Sequence, residues 1–517
     1  MAVWSVDETG NAYGPPRPSI AYCIKDAKCK AVLIDSGHIE DDTIVVDRPV
    51  RIMAQWGCTA RISVGSSKGT NKAVFRVTAV GSGKVEFGAV GKPALAGKSA
   101  GLPLPPGAKN ERGRLRIVSR PEGYQQSDKF VDWAACVEIA SALPTGGLAI
   151  EHCDLVASGD KPGVGIKVGW ISVPGPKKPQ NFIENPIRLT DCRFGAADPG
   201  GPSHPGDAGL SYGIYSFALL AQVHIVECTA DRIGWRFVGA NGFGGRIARC
   251  DVTAPVLLST QGDQQGFSTF GTVQIDNCLF RWSPPMNPPD PPKDHAVAAV
   301  LVPAWYDPPK KDDFTPHGQG RDTCYCGYST NPSSSGGNGG GVAGFEKPDP
   351  HQIGWEPTYR FFIVNCTFIG PEASSSPEKG WVAVRVMPKA MKYYEVRLVN
   401  CIFAYWPVGV FVDFGESNKT KNPVFANACS FYKCAKKVDS PLKYGPFLLE
   451  TSPAGAPGFV TADPLYHLAT GSKCIDKGVP PGEFAIPWIA SPALNKNGGT
   501  FVSRPKGLGW DVGCYEV

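Results

Sequence analysis

A short segment built around a cysteine recurs along the chain and constrains its fold more than any other feature. Each copy places an apolar residue three or four positions before the cysteine and, in most copies, another two positions after it. Successive copies are 22 to 39 residues apart, with one gap of 88, a spacing typical of a solenoid whose coils carry insertions. We therefore predict an all-β fold, a single-stranded right-handed parallel β-helix with long loop insertions. The aligned cysteines are Cys153, Cys192, Cys228, Cys250, Cys278, Cys366, Cys401 and Cys429.

The cysteines are interpreted as part of the core. Side chains alternate along a strand, so each cysteine shares its inward face with the apolar residue two positions later. Buried cysteine behaves as a small apolar residue, and stacked coils bring like residues into contact. We therefore expect a structural ladder of reduced thiols. The residue before the cysteine is Asn277, Asn365 or Asn400 in three copies, and asparagine suits a turn in the left-handed region. The Cys429 copy carries one extra residue before its cysteine, which we interpret as a bulge.

Proline and glycine divide the chain into parts. Residues 1–135 are expected to form an N-terminal cap and the first coils, 136–435 the central β-helix with the cysteine ladder, and 436–517 the last coils and a cap. A large insertion, 283–357, interrupts the centre; it begins with a proline-rich run and contains a glycine- and serine-rich stretch. Long irregular loops on a rigid scaffold often carry function.

The C-terminal part contains three short motifs. They are Asp463-Pro464-Leu465-Tyr466-His467-Leu468, Gly471-Ser472-Lys473-Cys474-Ile475-Asp476-Lys477-Gly478 and Gly509-Trp510-Asp511-Val512-Gly513-Cys514-Tyr515-Glu516. Together they resemble the ending of bacterial pectate-lyase-like β-helix repeat proteins, a surface-protein type whose fold phage tail spikes also use. The resemblance implies the β-helix fold and no particular function, since many members of the family have no known activity. Such proteins usually carry a signal peptide and a surface anchor, and neither is expected here.

The insertion holds the densest group of chemically active side chains. Aromatic rings stack on sugar faces and polar groups bind hydroxyls, so rings beside carboxylates and histidines indicate a glycan-binding surface. A solvated polar loop is the alternative interpretation. The candidate ligand-binding residues are Asp294, His295, Trp305, Tyr306, Asp312, Asp313, His317, Arg321 and Trp355.

Other sites are less well supported by the sequence. Glu227, Asp251 and Asp276 flank the repeat and could serve a hydrolase or lyase, but acidic residues are also common beside turns. Cys324 and Cys326 form a C-x-C pair that lacks the second pair of a usual metal site, so no metal site is predicted. Catalytic residues stay unassigned, and no cofactor is expected, except calcium if the protein is a lyase.

Three functions remain open. We expect a non-catalytic structural, receptor-binding or glycan-binding protein of a large assembly, specifically a phage virion appendage such as a tail spike, fibre or capsid-associated protein. The alternatives are a polysaccharide lyase or glycoside hydrolase, and a bacterial cell-surface adhesin. Expected partners are other subunits, with a homotrimer for a spike, and cell-surface polysaccharide. Nucleic acid is excluded by a net charge of only +5, and no segment predicts a membrane span. The expected location is the virion after assembly in the host cytoplasm, or else the bacterial surface.

Overall fold

The computed structural model describes most of the repeat and leaves several insertions out of the description. Contacts divide the chain into two compact units, the first taken mostly from residues 1–237 and the second mostly from 238–517. The described residues are 3–64, 73–91, 98–99, 102–103, 111–119, 134–158, 163–169, 182–195, 209–259, 272–285, 298–302, 359–371, 381–386, 394–412, 424–439, 448–450, 457–460, 466–480 and 510–514.

Each regular coil contributes three strands, and each strand pairs in parallel with its counterpart in the next coil. We call them the pre-corner strand, which ends two residues before the ladder cysteine, the post-corner strand, which begins at or just after it, and the third strand. The residue between the first two, immediately before the cysteine, is the corner residue. This pattern is a right-handed parallel β-helix, as the sequence predicted.

The first unit holds the N-terminal coils and their cap. Val3–Val6 pairs antiparallel with Ala12–Arg17 and Ala31–Ile34, and the helix Ile20–Lys25 packs beside them. Pre-corner strands are Ala31–Ile34, Arg51–Ala54, Val85–Ala89, Leu148–Glu151, Ile187–Thr190 and the end of Leu210–Val226. Post-corner strands are His38–Glu40, Thr59–Val64, Arg114–Ser119, Cys153–Ala157, Arg193–Phe194 and Thr229–Ala230. Third strands are Ile44–Val46, Ala73–Val77, Ala135–Ile139, Gly163–Val168 and the start of Leu210–Val226. Short strands Lys98–Ser99, Leu102–Pro103 and Phe182–Ile183 lie outside this scheme.

The second unit repeats the same three strands. The strand Ile233–Ala248 runs along the chain from one unit into the other. Pre-corner strands are the end of Ile233–Ala248, then Thr272–Asp276, Tyr359–Val364, Tyr394–Val399, Val424–Asn427 and Leu448–Glu450. Post-corner strands are Asp251–Ala254, Leu279–Trp282, Thr367–Ile369, Ile402–Ala404 and Ser430–Tyr432. Third strands are Val256–Ser259, Ala298–Val302, Val382–Val386, Val408–Val412 and Lys436–Asp439. Among the described residues, no helix is long and apolar enough to cross a membrane.

The Cys429 coil is regular rather than bulged. Ala426 pairs with Leu398 and takes the inward place that the alignment had given to Phe425, whose side chain is instead 39% exposed. The bulge prediction was wrong because it aligned the bulkiest apolar residue with the core, whereas the small Ala426 occupies that position.

The ladder cysteines lie inside the coils. All eight are at most 1% exposed, and their thiols donate hydrogen bonds to backbone carbonyls, as Cys278 does to Asp276 (3.3 Å) and to Ile247 of the neighbouring coil (3.5 Å). The described cysteines are free. Beside them run stacked rings; Phe403 lies 5.4 Å from Phe368 and 5.1 Å from Phe431 between ring centroids.

Burial predicts that Cys136, on the third strand Ala135–Ile139, and the ladder residue Cys153 are chemically silent in the native protein. It raises the pKa of Cys136 to about 11 and that of Cys153 well above its ordinary value, so the reactive thiolate is scarce near neutrality. We expect iodoacetamide at about pH 8 to leave both unlabelled in native protein and to label both in denaturant. The half-buried Cys434 should react first among the described thiols. Mass spectrometry of peptides after timed labelling measures this, and early labelling of Cys136 would contradict it.

The C-terminal segment covers the outer face of the post-corner strands in the second unit. Leu468, Cys474, Val512 and Cys514 form one buried cluster with outward-facing residues such as Ile402. These four belong to the C-terminal motifs, whose apolar positions therefore serve to attach the segment to the coils.

Asn400 fixes this attachment through its side chain. Its amide donates to the carbonyl of Val479 and to the side chain of Asn365, at 2.8 and 3.0 Å, and its carbonyl oxygen accepts from the Val479 backbone N–H at 2.8 Å. A corner residue of the coil thus holds the segment through both the NH2 and the C=O group of its side chain.

Candidate functional site

Within each unit the corner residues of successive coils follow one another at the same position of the repeat. They adopt positive φ, 52° at His152, 48° at Asp191 and 54° at Asn400. Asparagine, aspartate and histidine are the non-glycine residues most often found there. In the second unit the corners Asn365 and Asn400 bind one another and the C-terminal segment, whereas in the first unit the corners are ionisable and half-buried.

His152 and Asp191 are corners of consecutive coils and are in direct contact. The His152 Nδ1 atom lies 2.5 Å from Asp191 Oδ2. The other ring nitrogen, Nε2, contacts a guanidinium nitrogen of Arg112, which is also held by the carbonyl of Ala89 at 3.1 and 3.2 Å. The imidazole therefore lies between a carboxylate and a guanidinium.

These two contacts define the protonation of the ring. A guanidinium has donors only, so Nε2 must accept, and the proton of a neutral imidazole then resides on Nδ1 and is donated to Asp191. An imidazole oriented by a carboxylate, with a lone pair on the far nitrogen, is the arrangement of a general base. Moving the Arg112 side chain exposes that lone pair.

Arg114 joins the second carboxylate to the site. Its Nε donates to Asp154 at 2.7 Å and its Nη1 to Asp191 Oδ2, the same oxygen that His152 contacts, at 3.2 Å. Both carboxylates thus lie around one planar guanidinium. Burial raises the pKa of Asp191, but the hydrogen bond from His152 and the charge of Arg114 outweigh it, so the pKa lies below its usual range.

Gly113, between the two arginines, lies close against the preceding coil. A Cβ at this position would meet the backbone carbonyls of Cys58 and Gln55, so only glycine allows the chain to approach the preceding coil this closely.

The site is open to solvent and has further positive charge beside it. The side chains of Asp191, Arg112 and Glu151 are 39%, 35% and 45% exposed. Arg188 is exposed and Arg193 half-buried, and neither forms an ion pair within the described residues. They lie three residues before and two after Asp191, on the strands that flank its corner.

The candidate residues predicted from the sequence are distributed differently. All nine in the insertion, from Asp294 to Trp355, lie outside the described residues, as do Cys324 and Cys326. Asp276 is buried and held by Arg246 at 2.7 and 2.8 Å, and Asp251 pairs with Arg281 at 2.5 Å. Both aspartates thus serve to link neighbouring coils.

Sequence reasoning missed Arg112, Arg114, His152 and Asp191. A signal was present, because the position before the cysteine changes from Asn in the later copies to His and Asp in the first two. The arginines gave no signal, since they belong to a coil without an aligned cysteine.

Calcium, expected for a lyase, does not fit the described residues. Asp154 and Asp191 both face the guanidinium of Arg114, whose charge opposes a cation between them. Within the described chain, no group of three or more His, Cys, Asp or Glu side chains is arranged to hold a metal ion.

Comparison with known proteins gives one solved structure. No family model and no curated protein matches the chain. The endo-xylogalacturonan hydrolase from Aspergillus tubingensis is similar over 84% of this chain and 93% of its own, with 9% identity and a TM-score of 0.28. A likeness of this size bears on the fold alone.

The comparison corrects the function predicted from the sequence. The matched structure is described as a hydrolase and no comparison returned a virion protein, so the prediction of a non-catalytic phage appendage is withdrawn. That prediction rested on the β-helix itself, which virion spikes and glycan-degrading enzymes share, and a shared scaffold does not determine function.

Proposed function

We propose that this chain is a polysaccharide-degrading enzyme, a lyase or a glycoside hydrolase, that cleaves acidic glycans at the His152 corner. The observation that carries the proposal is the contact of His152 Nδ1 with Asp191 at 2.5 Å, with guanidinium groups on both sides of the pair. As part of the same proposal, its C-terminal motifs make it a relative of the bacterial pectate-lyase-like repeat proteins.

The chemistry of the corner supports an anionic substrate. Arg188 and Arg193 offer guanidinium groups that lack an ion pair among the described residues, and a planar guanidinium binds a carboxylate through two parallel hydrogen bonds. A uronate carboxylate bound there would bring its sugar ring beside His152. Arg112 could then exchange its contact with Nε2 for one with the substrate.

Proton transfer by His152 accounts for either reaction. In elimination, Nε2 removes the proton from the carbon next to the uronate carboxyl, the bond to the glycosidic oxygen breaks, and the imidazolium returns the proton to that oxygen. In hydrolysis, Nε2 takes the proton from the attacking water, whose oxygen bonds to the anomeric carbon as the bond from that carbon to the glycosidic oxygen breaks. The leaving oxygen takes a proton from solvent, and the imidazolium releases its proton to solvent afterwards. Asp191 compensates the positive charge of the ring in both cases, and its low pKa keeps it ionised to do so.

The test is cleavage of defined polysaccharides by purified protein. We expect polygalacturonate or alginate to yield new reducing ends, and a neutral xylan to yield none. Ultraviolet absorbance of the products identifies an unsaturated ring and thus elimination, whereas reducing ends without that absorbance identify hydrolysis. An absence of new reducing ends from every acidic glycan in a representative set would refute the proposal.

A further inference from the structure

Arg114 is a charged side chain of the corner that reaches across three coils. It begins its own post-corner strand, contacts Asp154 of the next coil and contacts Asp191 of the coil after that. It is 14% exposed, so it is shielded from a bound glycan while it touches the carboxylate behind His152.

Arg114 holds Asp191 by both side chain and backbone. Its Nη1 donates to the Oδ2 atom at 3.2 Å, and its Nη2 donates to the backbone carbonyl at 2.8 Å and to the carbonyl of Cys153 at 3.2 Å. These bonds restrict both the position of the corner and the rotation of the carboxylate. Lysine could supply the charge but not this fork of donors.

We infer that Arg114 is a positioning residue, which fixes the Asp191 carboxylate so that it accepts the Nδ1 proton of His152. This inference rests on the proposed function for its catalytic meaning, whereas the geometry can be tested without any substrate. The expected role is indirect, because Arg114 acts on His152 only through Asp191.

Loss of the Arg114 guanidinium should change the pKa of Asp191 in a defined direction. Arg114 contributes to the low pKa of Asp191, so Arg114→Gln raises that pKa. Protonated Asp191 no longer accepts as a carboxylate, and the contact with His152 then weakens at a higher pH than in the unaltered protein. The contact of the unaltered protein should persist until the pH falls below 3.8, the ordinary value for an aspartate carboxyl.

The experiment follows the Nδ1–H signal of His152 by NMR in protein labelled with ¹⁵N-histidine. The signal is assigned by its disappearance in His152→Asn, and its intensity is measured as the pH is lowered. In Arg114→Gln the midpoint of signal loss should move to higher pH. In Arg114→Lys the retained charge should keep the midpoint closer to that of the unaltered protein.

Arg281→Gln is the matched control. Arg281 also donates across coils to an aspartate, Asp251, at 2.5 Å, and to Thr253 at 3.1 Å, but it belongs to the second unit. It should leave the His152 midpoint unchanged. An unchanged midpoint in folded Arg114→Gln, or an equal shift in Arg281→Gln, would overturn the inference.

Activity gives a second, separable measurement. With an acidic glycan that the protein cleaves, kcat should fall on the order of tenfold in Arg114→Gln, and the acidic limb of the pH profile should move upward. Arg114→Lys should lower kcat with little change in that limb. A shifted NMR midpoint without cleavage of any glycan would retain the positioning role and reject the proposed enzyme, so the two failures are distinguishable.

Discussion

Glycan cleavage is expected to fall by about 10²- to 10⁴-fold when His152 is replaced by Asn, which is the scale of general acid–base catalysis. Asn is the residue that other coils place at this corner, as Asn365 and Asn400 show at φ values of 51° and 54°, so the coil should fold normally. Asp191→Asn removes the carboxylate with almost no change of shape and should reduce cleavage comparably. The measurement is the initial rate of new reducing ends from an acidic glycan.

Glu227→Gln provides the comparison, because Glu227 is the next corner along the same row and has the same positive φ, 58°. It should retain most of the activity. Thermal unfolding of all three variants separates loss of chemistry from loss of fold. Full activity in His152→Asn would show that the imidazole takes no part in the reaction.

Attachment of the C-terminal segment should depend strongly on Asn400. Asn400→Ala leaves the N–H and C=O of Val479 without their partner, and a buried polar group without a hydrogen bond costs about 1–3 kcal/mol. We expect the free energy of unfolding to fall by about 3 kcal/mol. Urea unfolding measures this loss, and limited proteolysis should show earlier cleavage after residue 450.

Asn277→Ala is the matched control for this prediction. Asn277 is also a buried corner, with φ of 53°, but its amide donates to the adjacent Asp276 at 3.0 Å rather than to the C-terminal segment. Its replacement should cost less than half as much and leave proteolysis of the segment unchanged. Equal losses in the two variants would mean that Asn400 acts only within its own turn.

The sequence was sufficient for the fold because the repeat records it directly. The cysteine marks an inward position, and an apolar residue at fixed spacing appears in coil after coil, so local patterning and global architecture agree. The Phe425 error shows the limit of this reasoning: hydrophobicity alone does not decide which of two neighbouring residues faces inward, since the register of Ala426 with Leu398 decides it.

The candidate site was less accessible to sequence reasoning. Its four principal residues lie up to 79 positions apart, from Arg112 to Asp191, and come together only because successive coils stack in register. The pattern identified the corner as a turn and explained Asn there. His152 and Asp191 also suit this turn, so nothing in the pattern marked them as residues with a chemical role. The ligand-binding residues were predicted in the 283–357 insertion instead, because polar and aromatic side chains are most concentrated there.

In the first unit, the corner position separates the surface chemistry of a coil from the packing of its core. In the first unit each corner takes a single half-buried side chain, while the cysteine beside it stays inside, and His152, Asp191 and Glu227 occupy this position at closely similar φ values. One-residue changes at these first-unit corners can therefore alter the exposed chemistry at the spacing of neighbouring strands, about 4.8 Å. For protein engineering, a pair of functional side chains could be moved from one coil of this unit to another by substituting corner residues alone, with the buried core unchanged.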